Sequence, residues 1–176
     1  MTSSEFREMI LKKTPKYSVS VEYLFEKLAN KQKKGEFSQF GPLYELYVYA
    51  FFLGLKIDSR IELASGSNAK KFVEIAGWKS SSPLIDFLLL TVFSRSDEIG
   101  FDWNDLEDMD EKELAEVVRK IITFIEEYAY GGLDYLKSKF DNGELDNSQY
   151  LFVDLLGDLV VSDEENNLMT NDRSFN

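Results

Sequence analysis

The chain has 176 residues, 44% of them hydrophobic, and a net charge of −12. That length suits one domain with a short appendage and a sizeable core. With neither cysteine nor histidine, disulfides, thiolate nucleophiles, Ser-His-Asp triads, Cys-His dyads and HExxH zinc sites are excluded, and carboxylate-only or lysine-based chemistry remains.

Ser3 or Ser4 is a cap for a first helix through about Lys12, with Phe6, Met9 and Ile10 as its apolar stripe, and Thr14-Pro15 ends it. Ser20 is the next cap candidate. Val21, Leu24, Phe25 and Leu28 follow at helical spacing, and the pattern runs out in a lysine-rich stretch closed by Gly35. Pro42 suits the first position of a third helix, whose residues are apolar or aromatic on every side apart from Glu45. An element apolar all round belongs among other elements, so this one marks the centre of the domain. Gly54 marks its end or a close packing contact. From Lys56 to Ser82 the periodicity fades, and a connection of that length is a functional loop or hides short structure, such as a hairpin within 56–77.

Ser82-Pro83 opens a second all-round apolar helix through Phe93, with Asp86 its one charge. Asp110 followed by Glu113 has the form of a capping box, and Leu114, Val117, Val118, Ile121, Ile122, Ile125 and Tyr128 carry a helical stripe up to a break at Gly131-Gly132. Leu133, Leu136 and Phe140 read as a short following helix, Asp141-Asn142-Gly143 as a turn, and Leu151, Leu155, Leu156 and Leu159 as the inner face of a last helix. The expectation is a mainly α fold: a bundle of about six or seven helices around two buried apolar ones. It forms one domain over 1–161 with an acidic, fraying tail over 162–176. No apolar run approaches the ~20 residues of a membrane span and no secretory leader is visible, which suits a cytoplasmic protein.

Charge is unevenly divided. Residues 1–80 hold 13 Lys/Arg against 9 Asp/Glu, and residues 81–176 hold 7 against 23. Such asymmetry steers partners. Glu45 and Asp86 lie within apolar helices, with Arg60 in the connection as a partner for either. A buried carboxylate needs a partner or a raised pKa, so these three form a candidate buried polar site, with a structural ion pair as the plainer reading. Lys31, Lys33, Lys34, Lys70 and Lys71 form a candidate basic surface for phosphate. The plainer reading there is a lysine-rich helix end and loop. Asp102 to Glu113 aligns on a calcium loop except at its two diagnostic places, where Leu106 replaces a ligand and Glu107 the glycine. Asp154 and Asp158 read as a solvated helix face. No phosphate-binding loop occurs, and no metal or cofactor is expected.

Two stretches carry a resemblance. GEFSQFGPLYELYVYAFFLGLKIDSRIEL, Gly35–Leu63, and FIEEYAYGGLDYL, Phe124–Leu136, are similar to the small proteins encoded beside bacterial DNA phosphorothioation (Dnd) genes, the fourth such associated family. The resemblance implies an accessory protein of a defence island, acting beside DNA-modifying or restricting enzymes. A non-enzymatic adaptor with a protein partner is the leading expectation. A small enzyme using Glu45, Asp86 and Arg60 in a cleft, and a DNA mimic presenting the 102–113 and 154–165 carboxylates as one stripe, are the alternatives.

Overall fold

A computed structural model describes residues 3–29, 40–64, 66–78, 82–145 and 155. The described residues include six α-helices, three 3₁₀ turns and one two-stranded sheet. The chain divides into two compact units, Met1–Leu136 and Lys137–Asn176. The division falls at 136/137, inside the last described helix.

In the first unit, α1 (Ser3–Leu11) buries Phe6, Ile10 and Leu11. Strand β1 (Lys16–Ser18) follows Pro15. The Ser18 hydroxyl then caps a 3₁₀ turn by accepting from the Ser20 N–H at 3.3 Å. Ser20 itself lies inside this turn, and α2 (Glu22–Leu28) starts two residues later. Helix α3 (Leu43–Lys56) has Pro42 at its N-cap, one position earlier than the sequence suggested. It is a core helix: Leu46, Tyr47, Ala50 and Phe51 are fully buried. Each large apolar side chain so buried contributes about 1.5–3 kcal/mol.

The aperiodic stretch after α3 is ordered by anchors, not by a repeat. Asp58 has φ 49°, the left-handed conformation that ends a helix sharply. The chain beyond it then runs against α6 (Glu111–Asp141), where the Ile61 N–H donates to the Glu127 carbonyl at 3.2 Å. Strand β2 (Ala69–Lys71) lies in this stretch, as the sequence allowed, but its partner is β1, 53 residues earlier, in antiparallel register with Lys16 opposite Lys71. Phe72 and Trp78 then plug the core. Phe72 stacks on Tyr47 at 4.8 Å between centroids, Trp78 lies parallel to Tyr44, and the Trp78 indole N–H donates to the Val73 carbonyl at 3.2 Å.

Helix α4 (Ser82–Phe93) buries Ile85, Leu88, Leu89 and Val92 but leaves Phe87 56% and Leu90 66% exposed. It is therefore amphipathic in its environment although apolar in its sequence. After the four-residue α5 (Ser96–Ile99), Gly100 at φ 84° turns the chain toward α6.

The capping box at the start of α6 forms as its residues require. Asp110 Oδ1 accepts from the Lys112 and Glu113 N–H groups at 2.8 Å each, and Glu113 Oε2 accepts from the Asp110 N–H at 2.8 Å. The helix then continues through Gly131-Gly132 without a break. Those glycines serve a different purpose. A Cβ on Gly132 would stand 1.9 Å from the Ala50 carbonyl oxygen of α3, and one on Gly54 would stand 2.0 Å from the Tyr128 carbonyl oxygen of α6. One on Gly131 would meet the Ser59 carbonyl oxygen at 1.9 Å. The α3 and α6 backbones touch at this crossing, and only glycine fits.

Within the second unit, α6 ends at Asp141 and Gly143 adopts φ 73°, which forms the expected turn. Lys137 pairs with Asp141 at 2.6 Å, and Lys139 pairs with Glu144. Leu155 is helical and buried. The expected boundary at 161, the other residues of the expected last helix and the expected acidic tail lie outside the described residues.

Candidate functional site

The two stretches of Gly35–Leu63 and Phe124–Leu136 meet at the α3–α6 crossing. Beside the glycine contact sits a polar network. Arg60 Nε donates to Glu127 Oε2 at 2.7 Å, and its Nη1 lies 3.6 Å from Glu98 Oε1. The guanidinium also stands over the Phe124 and Tyr128 rings, 5.4 Å and 5.9 Å from their centroids. Glu98 in turn accepts from the Tyr128 hydroxyl at 2.7 Å and pairs with Arg95 at 3.1 Å. Burial, reinforced by the bond to Glu98 and by that carboxylate's charge, pushes the Tyr128 hydroxyl up to about 12. The Glu127 side chain is only 14% exposed, and Arg60 is its ion-pair partner. The network ties the post-α3 segment and α5 to the middle of α6.

The expected grouping of Glu45, Arg60 and Asp86 does not form. Glu45 is half-buried at the start of α3, where Oε2 accepts from the Gly41 N–H at 2.9 Å. A carboxylate in a first helical turn satisfies free N–H groups and meets the positive end of the helix dipole, which is why it tolerates an apolar helix. Asp86 lies on the exposed side of α4 and pairs with Arg7 of α1 at 2.6 Å. Arg60 is exposed and takes its partners from α5 and α6. The three are neither buried together nor paired with one another, because α4 turns Asp86 outward. Of the candidate basic surface, Lys31, Lys33 and Lys34 lie outside the described residues. Lys70 pairs with Glu22 at 2.7 Å and Lys71 is exposed on β2. Asp154 and Asp158 also lie outside the described residues.

Glu126 was not singled out by sequence. Its Oε1 accepts from the Lys16 N–H at 2.8 Å, while the buried Tyr47 hydroxyl donates to the Lys16 carbonyl at 2.9 Å. Burial raises the Glu126 pKa, opposed by the Lys16 N–H bond and the Lys16 charge. Its only sequence signal was its place in the FIEEYAYGGL stretch.

A third feature is an open groove of about 930 Å³ between the α5–α6 connection and the first turns of α6. Six carboxylates line it, from Asp97, Asp102, Asp105, Asp110, Glu113 and Glu116, against Lys112 and Lys120. Lys120 donates to the Gly100 carbonyl at 3.0 Å. Asp102 Oδ1 accepts from its own loop, at the Asn104 N–H and side-chain amide. Among the described residues no three Asp or Glu side chains are grouped to hold a metal ion, and no helix is long and apolar enough to cross a membrane.

No curated protein and no solved structure matches the chain. A family model does: that of DNA sulphur modification system-associated protein 4, over residues 16–173. The match spans both glycine-bearing stretches, the Arg60 network and the acidic groove, and the chain belongs to that family.

Proposed function

We propose that this protein is a non-enzymatic accessory or adaptor of a bacterial DNA sulphur modification-linked restriction system, working in the cytoplasm by binding protein partners. The observation that supports this reading is the acidic groove. An open concavity lined six carboxylates to two lysines focuses a negative potential and favours a basic partner surface. The engagement of Glu45, Arg60 and Asp86 in three separate structural contacts favours a scaffold over a carboxylate enzyme. The motif glycines are likewise spent on helix packing.

The test is affinity capture of the full chain from a host carrying the neighbouring genes, at low and moderate salt. A partner retained by the wild type, lost with Asp97→Lys/Asp105→Lys and weakened by salt supports the reading. Recovery of no partner sinks it. Displacement of that partner by duplex DNA would favour the DNA-mimic reading over a plain adaptor.

A further inference from the structure

The two-stranded sheet has two outer edges, and they are treated differently. The Phe72 N–H donates to the Pro15 carbonyl at 2.8 Å, continuing the register in which Lys16 faces Lys71. In an antiparallel ladder, bonded and non-bonded pairs alternate. Tyr17 and Lys70 therefore form a bonded pair, and the N–H and C=O groups of Lys16 and Lys71 point away from the sheet, on opposite edges. On the β1 edge both Lys16 groups are satisfied, by Glu126 and by Tyr47. On the β2 edge the outward Lys71 N–H and C=O have no hydrogen-bond partner among the described residues, and Lys71 is exposed.

Next to this open edge lies a cleft of about 370 Å³. Residues 71–73 form one lip, and α2 with the start of α3 forms the other. Tyr17, Phe25 and Phe72 supply aromatic walls, and Leu43 and Val73 stand at the mouth, each 41% exposed. Its polar groups are Glu22, Glu26 and Lys71. Glu22 is already engaged by Lys70 and by the Tyr17 hydroxyl. Glu26 and Lys71 have no ion-pair partner among the described residues.

We propose that this cleft is a docking groove for an extended segment of a partner protein, which adds as a third strand along β2. The segment places one apolar anchor side chain among Tyr17, Phe25, Phe72, Leu43 and Val73. A basic residue beside the anchor meets Glu26, and an acidic one meets Lys71. Main-chain bonds to an open edge give affinity in this mode, and the pocket and flanking charges give selectivity. Lysines on an edge strand commonly discourage indiscriminate pairing. Here Glu22 neutralises Lys70, which leaves Lys71 as a selective guard. This deepens the reading of the protein as an adaptor, on a surface separate from the acidic groove.

The experiment pans phage-displayed linear peptides on the full chain and measures the enriched peptides by calorimetry. The expected consensus is an apolar anchor next to Lys or Arg, with amide shifts at Ala69, Lys71 and Val73 on binding. Lys71→Pro removes the outward N–H together with the Lys71 charge and spares the ladder to β1. It, Val73→Asp and Glu26→Lys should each weaken binding at least about tenfold with thermal stability retained; the two side-chain variants keep the test alive if the proline disturbs folding. Absence of enrichment, equal binding by these variants, shifts confined to 97–120, or displacement of the peptide by duplex DNA would overturn the proposal. Asp97→Lys/Asp105→Lys should leave peptide binding intact, so failure of the acidic-groove reading is distinguishable from failure of this one.

Discussion

Gly132→Ala tests whether the α3–α6 crossing is a true backbone contact. In an ordinary helix interior the change favours the folded state by about 1 kcal/mol, because glycine loses more backbone freedom. Here the added methyl would lie 1.9 Å from the Ala50 oxygen, 2.7 Å from its carbonyl carbon and 3.0 Å from its Cα. All three are backbone atoms of a packed helix, so no rotamer change relieves the clash. Restoring ordinary contact requires the helices to part by roughly 1.5 Å, beyond the movement that well-packed interiors absorb. Overpacking costs about 1–3 kcal/mol when side chains can adjust, and a backbone obstacle puts this case at or above the top of that range. After subtracting the propensity gain, the net loss is about 2 kcal/mol or more, a fall of about 4–8 °C in Tm at this chain length. Urea and thermal unfolding followed by circular dichroism would measure it. Gly77→Ala, whose Cβ would meet only the flexible Val73 side chain at 3.3 Å, is the control and should move Tm little. Stabilisation by Gly132→Ala would refute the crossing and restore the glycines to the role of a helix break.

Arg60→Met should destabilise by about 1–3 kcal/mol, because it strands the largely buried Glu127 carboxylate. Arg7→Met, which breaks a pair with side chains 39% and 57% exposed, should cost under about 1 kcal/mol in the same urea assay. Asp110→Ala should cost about 1 kcal/mol by removing the acceptor for two α6 N–H groups, with Asp110→Ser recovering most of it. The raised Glu126 pKa means that the folded state holds this proton more tightly than the unfolded one. Its contribution is present in acid and is lost as pH rises through the folded pKa. Glu126→Gln keeps an acceptor for the Lys16 N–H, so it should gain on the wild type between pH 4 and pH 7 in parallel denaturant melts. An unchanged difference would contradict the burial.

The sequence determined what neighbours along the chain can settle. The Asp110–Glu113 box, the stripe from Leu114 to Tyr128 and the all-round apolar α3 depend on groups within about four residues of one another. Periodicity therefore revealed the mainly helical class, and the glycine-bearing stretches revealed the family. Tertiary structure decided the rest, because each remaining fact joins distant segments. Gly131 and Gly132 read as a terminator until α3 came against them. The pairing of β1 with β2 spans too much chain for any local pattern to announce. Arg60 found Glu127 and Glu98 instead of Glu45 or Asp86, since the left-handed turn at Asp58 carries it onto α6. Helix α4, uniformly apolar in sequence, has an inside and an outside only because its neighbours cover Leu88 and Val92 and leave Phe87 and Leu90 open.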